Sequence, residues 1–228
     1  MTENYPPYQF EAEGKLQGIW VDVLVEVLKR MDAKQSRDDI KLIPWARGYQ
    51  TVIKNSSTCL FNMIRTKERE NLFKWAGPVT SGIHVLIALK NSNIHVESFE
   101  DLNQYKIGVV KDDFGESILF SHGIKKKNLL FSFGENAAKE IILELNKEIV
   151  DLWFIEHISA RWILKKYMFN TNDYKTVYKM APVDGYFAFN KTTPVNLIAA
   201  FQKQLDAVMK APVYQKIFDI YLSEKLSQ

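Results

Sequence analysis

The sequence is poor in cysteine, in long apolar runs and in excess charge. Its single cysteine, Cys59, cannot form a disulfide within the chain. No stretch approaches the roughly 20 apolar residues that an α-helix needs to span a bilayer. The net charge is only +3, with 30 basic against 27 acidic residues, so the composition gives no reason to expect nucleic acid as a partner.

The sequence signatures of cofactor and metal sites are missing as well. The chain has neither a Gly-x-Gly-x-x-Gly nor a Gly-Lys-Ser/Thr motif, which excludes the usual phosphate-binding loops. Its four histidines are scattered, without the spacing of a metal site: His84, His95, His122 and His157. We therefore expect no cofactor and no metal ion.

What the sequence does contain is the pattern of a globular α/β protein. Hydrophobic residues make up 46% of the chain and charged residues 25%, which is enough for a packed core. Apolar stripes at helical spacing alternate with apolar runs of strand length, and this alternation predicts an α/β fold with a largely parallel sheet. The clearest strands are residues 59–64 and 84–89, and the second is apolar enough to be buried on both faces.

The order of these elements predicts two similar α/β units, with the second inserted into the first. The first unit is expected to comprise residues 1–90 and 183–228, and the second residues 91–182. Two chain crossings, near Lys90 and near Val183, would then form a hinge.

The stretch with the clearest chemistry is the polar turn that follows the predicted strand 59–64. It carries two arginines, Arg65 and Arg69. An arginine at the carboxyl end of a buried strand is well placed to bind a carboxylate, because its planar fork donates two parallel hydrogen bonds. The alternative is that both arginines are surface charges paired with Glu68 and Glu70.

Several motifs in a fixed order point to a known family. They are Tyr5-Pro6-Pro7-Tyr8-Gln9-Phe10 followed by Gly14, Gly18 and Asp22; Thr66-Lys67-Glu68-Arg69; Lys106-Ile107-Gly108-Val109-Val110; Asp151-Leu152-Trp153; and Tyr214-Gln215-Lys216-Ile217-Phe218. Through these motifs, nearly the whole chain resembles the bacterial extracellular solute-binding proteins of family 3, the polar amino-acid uptake type. Each motif is weak alone, and their order and spacing together are fairly specific.

The resemblance implies a two-lobed α/β fold that closes on its ligand like a clam shell, with two hinge crossings. It implies that Arg69 binds the α-carboxylate of an amino acid and that Glu156 receives the α-ammonium group. Backbone N–H groups around Phe114 and Gly115 would face the ligand at a helix N-terminus. Tyr5 and an aromatic near Trp45 would stack on its side chain.

The chain departs from the family pattern in three places. Asn62 and Ile64 stand where many members carry a small residue and a hydroxyl that contact the ligand, and Arg65 adds a second cation. Asp112 and Asp113 put negative charge beside the expected carboxylate site. These departures leave the ligand class open, since Arg47 and Arg65 could instead admit a second carboxylate.

The resemblance also implies a role and a location. The protein is expected to be a monomeric binding protein without catalytic activity, which delivers an amino acid or a related small carboxylate to the membrane permease of an ABC transporter. We expect it in the periplasm, with its export signal removed, although the residues alone also allow a cytosolic protein. Two alternatives stay open: an enzyme resembling cyclohexadienyl dehydratase, with Glu156 as its general acid, and the ligand-sensing domain of a receptor.

Overall fold

The computed structural model describes residues 1–111, 113–134 and 136–222. The chain divides into two compact units. The first unit comprises Met1–Ser81 and Asp184–Gln228, and the second comprises Gly82–Val183.

Ten strands and seven α-helices occur in the described residues. The strands are β1 (Phe10–Ala12), β2 (Lys15–Gln17), β3 (Cys59–Ile64), β4 (Phe73–Gly82), β5 (His84–Leu89), β6 (Ile107–Val110), β7 (Leu129–Ser132), β8 (Leu152–Glu156), β9 (Tyr174–Lys179) and β10 (Val183–Asn190). The helices are α1 (Ile19–Arg30), α2 (Trp45–Lys54), α3 (Phe114–Ser121), α4 (Ala137–Asn146), α5 (His157–Lys166), α6 (Val195–Lys210) and α7 (Pro212–Leu222). The strands predicted at 59–64 and 84–89 are confirmed with the same bounds.

The first unit is built on a three-stranded sheet in which β10 lies between β3 and β4. β10 runs antiparallel to β3, and β1 and β2 form a separate antiparallel hairpin. The core is aromatic: the ring of Trp20 on α1 lies 6.2 Å from Phe61 on β3 and 5.0 Å from Phe187 on β10. All three side chains are fully buried, so the apolar stripe of α1 is anchored directly on the sheet.

The second unit is built on a five-stranded sheet of order β7-β6-β8-β5-β9. β6 runs parallel to β7 and to β8, whereas β5 runs antiparallel to both β8 and β9. The expectation of a largely parallel sheet is therefore wrong. A continuous apolar run indicates burial on both faces, and a strand buried in this way can pair in either direction.

Alternate residues of β5 and β8 pack into different cores on the two faces of this sheet. Val85, Ile87, Trp153 and Ile155 contact α4 and α5. Leu86, Ala88, Leu152 and Phe154 lie on the opposite face with Leu119 of α3. The same alternation shows on which face the residues at the strand ends lie. His84 at the start of β5 and Glu156 at the end of β8 both lie on the face that packs against α3.

The pairing of β5 places the division of the chain earlier than the sequence led us to expect. Residues 84–89 were expected in the first unit, but β5 pairs with β8 and β9 and belongs to the second. The chain passes from the first unit to the second at Ser81 and returns at Asp184.

Candidate functional site

Arg69 lies in the turn after β3 and is held there by groups of the first unit. Its Nη1 donates a hydrogen bond to the carbonyl oxygen of Ile64 at 3.1 Å. Its guanidinium carbon lies 5.6 Å from the ring centroids of both Trp45 and Tyr49 on α2. Stacking on aromatic faces leaves the charge and the planar fork of an arginine intact. Arg69 is therefore oriented by the fold itself.

Arg65 is paired with Glu70, as the alternative interpretation of this turn held. Its Nε and Nη2 donate to the two carboxylate oxygens of Glu70 at 2.7 and 2.5 Å. Its guanidinium carbon lies 5.7 Å from the ring centroid of Trp75 and 5.5 Å from that of Tyr186. The hydrogen bonds from Arg65 to Glu70 raise the pKa of Arg65. A ligand carboxylate could bind the Nε–Nη2 side of Arg65 only by replacing Glu70.

One continuous row of aromatic rings joins the surroundings of the two arginines. Successive centroids are 6.2, 5.5, 5.4 and 6.0 Å apart, in the order Trp45, Tyr49, Phe73, Trp75 and Tyr186. Arg69 lies over the first two rings of this aromatic row, and Arg65 lies over the last two. Glu70 compensates the charge of Arg65 at one end of the row, so the positive charge that suits an anionic group of a ligand is that of Arg69 at the other end.

Asn62 and Ile64 have backbone roles in the same strand. The register between β3 and β10 shifts so that Tyr186 opposes Met63 while Phe187 opposes Phe61. Asn62 is the extra residue of this bulge and has a φ of 61°, a left-handed conformation that asparagine tolerates better than most residues. Its Nδ2 donates to Oε1 of Gln9 at 3.1 Å. Ile64 contributes the carbonyl oxygen that holds Arg69.

Tyr5 is connected to Asn62 through Gln9. The Tyr5 N–H donates to the Gln9 carbonyl oxygen at 2.7 Å, and the Tyr5 ring stacks on that of Tyr8 at 6.0 Å. Gln9 is 1% exposed, so its amide is a buried link between the N-terminal segment and the bulge. The predicted residues of the first unit thus form two sets: Tyr5 with Asn62, and Trp45 with Ile64 and Arg69.

In the second unit, Glu156 ends β8 and caps α5. Its Oε2 accepts a hydrogen bond from the backbone N–H of Ser159 at 2.8 Å, and the residue is only 3% exposed. A buried carboxylate at a helix N-terminus is stabilised by the helix dipole and by the N–H that it accepts. The same negative charge can attract a cationic group of a ligand.

The N-terminus of α3 is arranged differently from the expectation at Phe114 and Gly115. The backbone N–H of Gly115 donates to the side chain of Asp113 at 3.3 Å, so an internal carboxylate caps the helix. Glu116 in the first turn lies 2.5 Å from Nζ of Lys111. Asp113 therefore already accepts from the Gly115 N–H that was expected to face a ligand carboxylate, and a ligand contact at Phe114 and Gly115 stays a prediction. Asp112, the other acidic residue predicted here, lies outside the described residues.

His84 lies beside Glu156, and the sequence offered no reason to single it out. It opposes Glu156 directly in the β5–β8 register, and its ring centroid lies 4.7 Å from that of Phe114 and 5.6 Å from that of Phe154. The residue is 6% exposed, and its Nδ1 has no hydrogen-bond partner among the described residues. The only signal was a polar residue at the head of an otherwise apolar strand.

Burial of His84 makes stability depend on pH. Loss of hydration lowers the pKa of the imidazole from 6.5 to about 4. As the pH falls through this interval, the unfolded chain takes up a proton that the folded protein resists, so folded stability is lost. We expect the wild type to lose about 3 kcal/mol between pH 7 and pH 4 relative to His84→Phe, as measured by urea denaturation. If the wild type and His84→Phe lose the same free energy of unfolding between pH 7 and pH 4, His84 does not titrate in this way.

Two further features are limited to the part of the chain that the structure describes. No helix there is both long and apolar enough to cross a membrane. Likewise, no three histidine, cysteine or acidic side chains cluster there in a way that could hold a metal ion.

Comparison with solved structures shows the fold. An ancestral arginine-binding protein bound to arginine is 22% identical, with a TM-score of 0.79 over 96% of this chain and 95% of that one. A histidine kinase sensor domain with similarity to periplasmic binding proteins is 18% identical, with a TM-score of 0.83 over 97% and 94%. The arginine-, lysine-, histidine-binding protein ArtJ from Geobacillus stearothermophilus is 18% identical, with a TM-score of 0.80 over 96% and 93%.

These similarities establish the two-lobed α/β fold of periplasmic binding proteins for this chain. No curated protein sequence matches it significantly. The profile of the bacterial extracellular solute-binding proteins, family 3, however, matches residues 1–224, which confirms the family that the motifs indicated. The chain belongs to family 3 of the bacterial extracellular solute-binding proteins.

Proposed function

We propose that this protein captures a free amino acid, with the carboxylate of the ligand on Arg69 and its ammonium group on Glu156. The observation that carries the proposal is the pair of oriented, opposite charges. The Arg69 guanidinium is fixed over Trp45 and Tyr49 in the first unit, and the Glu156 carboxylate is buried in the second.

Charge complementarity assigns the two ends of the ligand. The aromatic row of the first unit carries Arg69 at one end and Arg65 at the other, and Nε and Nη2 of Arg65 already donate to the Glu70 carboxylate. An anionic group is therefore better placed on Arg69 than on Arg65. In the second unit, Glu156 is the most deeply buried acidic residue named in the site, and a buried carboxylate gains most from a cation that hydrogen-bonds to it.

The structural neighbours support the amino-acid class. The ancestral protein and ArtJ bind arginine, and ArtJ also binds lysine and histidine. In this chain, the Arg69 guanidinium at one end of the aromatic row disfavours a cationic side chain in its vicinity. We infer that the ligand is an amino acid whose side chain is neutral or acidic.

In the cell, such a protein would act in the periplasm as a monomer and deliver its ligand to the membrane permease of an ABC transporter. Membership of an extracellular solute-binding family supports this role. One observation favours a second role, because the histidine kinase sensor domain has a TM-score of 0.83 with this chain. The same site could therefore serve as the ligand-sensing domain of a receptor.

A thermal-shift screen of the purified protein tests the amino-acid assignment. The panel contains the twenty amino acids, small dicarboxylates and polyamines. A ligand at about 100 times its dissociation constant adds roughly 2.7 kcal/mol to the free energy of unfolding, so we expect a clear rise in melting temperature with one or a few neutral or acidic amino acids.

Matched derivatives of the responding amino acid test the two ends of the ligand. Its amide lacks the carboxylate and its N-acetyl form lacks the ammonium group, so both should lose the shift. A response only to dicarboxylates would instead favour a second carboxylate on Arg47 and Arg65. If no compound of the panel raises the melting temperature, the amino-acid assignment is refuted. An enzyme resembling cyclohexadienyl dehydratase would reveal itself by turnover of a prephenate-like acid, followed by absorbance.

A further inference from the structure

One face of the second unit's sheet brings an imidazole with an unsatisfied nitrogen beside the buried carboxylate of Glu156. His84 and Glu156 are direct partners across β5 and β8, and directly opposed side chains of an antiparallel pair lie on the same face. Gly82 lies on this face too, because a Cβ built on it would be 3.2 Å from Cγ of Glu156. The end of the sheet therefore presents a carboxylate and an imidazole together.

The imidazole is buried in a way that folding alone does not explain. Nδ1 of His84 is shielded from solvent and has no hydrogen-bond partner in the described part of the chain, and the rings of Phe114 and Phe154 pack against it. A buried polar atom without a partner costs about 1–3 kcal/mol. Phenylalanine would fill this aromatic cluster without that cost. A buried polar group that is kept although an apolar residue would fit better points to a function.

The chemistry of a neutral imidazole with a free acceptor fits an ammonium group. With the proton on Nε2, the Nδ1 lone pair is an acceptor. An ammonium group has three N–H donors and needs several acceptors, while Oε2 of Glu156 already accepts from the N–H of Ser159. Nδ1 of His84 would supply a further acceptor at the same end of the sheet.

We propose that His84 is a specificity-determining residue, which accepts a hydrogen bond through Nδ1 from the ammonium group that Glu156 binds. The proposal rests on the amino-acid function proposed above and defines the ligand more narrowly as a primary amine. A fully methylated ammonium has no N–H to donate, so it keeps its attraction to Glu156 and loses the contact with His84. The half-buried ring of Phe114, in the first turn of α3, packs against the His84 ring with centroids 4.7 Å apart and so borders the proposed contact.

The test compares two probes on two proteins by calorimetry. The probes are the amino acid that gives the largest thermal shift in the screen and its Nα-trimethyl derivative. His84→Phe keeps an aromatic ring in the cluster and removes both nitrogens. We expect it to bind the parent amino acid about tenfold more weakly than the wild type, the effect of one hydrogen bond to a charged group. Its affinity for the trimethyl derivative should not change. The ratio of the dissociation constant of the trimethyl derivative to that of the parent amino acid should therefore be about tenfold smaller in His84→Phe than in the wild type.

Trp153→Phe is the matched control. Nε1 of Trp153 is also buried without a partner among the described residues, but this side chain packs with α4 and α5 on the opposite face of the sheet. Its replacement should alter stability and leave the discrimination between the two probes unchanged.

Nuclear magnetic resonance of the wild-type protein gives an independent answer. Labelled with ¹⁵N-histidine, it should show the Nδ1 signal of His84 moving on saturation with the parent amino acid and remaining in place with the trimethyl derivative. An unmoved signal, or equal discrimination in the wild type and His84→Phe, overturns the role of His84 and leaves the amino-acid function standing. A wild-type protein that binds no amino acid overturns both.

Discussion

Arg69→Ala should weaken amino-acid binding by more than a hundredfold while the melting temperature of the ligand-free protein falls by only a few degrees. Loss of a buried, hydrogen-bonded charge pair with a ligand costs about 3–5 kcal/mol. The stability lost is smaller, because Arg69 gives up its hydrogen bond to Ile64 and its contacts with two rings of α2, a change of roughly 1–2 kcal/mol. Calorimetry and thermal unfolding measure the two effects separately.

Two variants sharpen this experiment. Arg69→Lys keeps the positive charge and loses the planar fork, so it should bind more tightly than Arg69→Ala and more weakly than the wild type. Arg47→Ala removes an exposed arginine of α2 in the same unit and should leave the affinity for a monocarboxylic amino acid unchanged. Normal binding by Arg69→Ala would show that the carboxylate is held elsewhere.

The sequence was most informative where one physical signal dominated. β3 and β5 were predicted to the residue because each is a largely apolar run of strand length with polar or glycine-containing flanks. α7 begins at Pro212, since proline commonly occupies the first position of a helix. Local signals of this kind do not depend on what lies across the sheet.

The errors arose where the outcome depended on a partner distant in sequence. The direction of β5 is decided by its pairing with β8 and β9, and an apolar run does not encode that direction. The same pairing moved the division of the chain from residue 90 to residue 81. Both differences have a single cause. The composition of a segment indicates whether it is buried, but it does not indicate which strands pair with it or in which direction.

The candidate site shows the same limit at the level of side chains. The sequence offered both a ligand and Glu70 as partners of Arg65, and the bidentate pair with Glu70 emerged only from the fold. Asn62 could be recognised as a departure from the family pattern, but its left-handed bulge could not. His84 was one histidine of four until the β5–β8 register placed it opposite Glu156.

Gly18→Ala should produce the largest loss of stability predicted for this protein, roughly 4 kcal/mol and about 10 °C in melting temperature. Gly18 has a φ of 126°, which a residue with a Cβ adopts only under strain. A Cβ there would lie 2.4 Å from the carbonyl oxygen of Tyr8 and 2.8 Å from Cα of Gln9. Because these atoms are backbone, no side-chain rotation relieves the overlap.

Gly14→Ala is the control for adding a methyl group at a positive φ without steric overlap. Gly14 also has a positive φ, of 70°, but no neighbouring atom of the described residues would lie within 4 Å of an alanine methyl group there, so its replacement should cost only about 1 kcal/mol. The difference between the two variants in urea denaturation then measures the overlap at Gly18 together with the additional backbone strain of its φ of 126°. Equal losses would mean that the Tyr8–Gln9 backbone moves aside at no cost.

The overlap at Gly18 should also reach the ligand site, which makes this stability experiment a test of the site as well. The backbone that would have to move belongs to Tyr8 and Gln9. The Gln9 carbonyl oxygen accepts a hydrogen bond from the N–H of Tyr5 at 2.7 Å, and Oε1 of Gln9 accepts one from Nδ2 of Asn62 at 3.1 Å. We therefore expect the folded fraction of Gly18→Ala to bind its amino acid more weakly than Gly14→Ala does. Equal affinities would show that the N-terminal segment does not contribute to ligand binding. Arg69 and Trp45 would then remain as the contacts of the first unit.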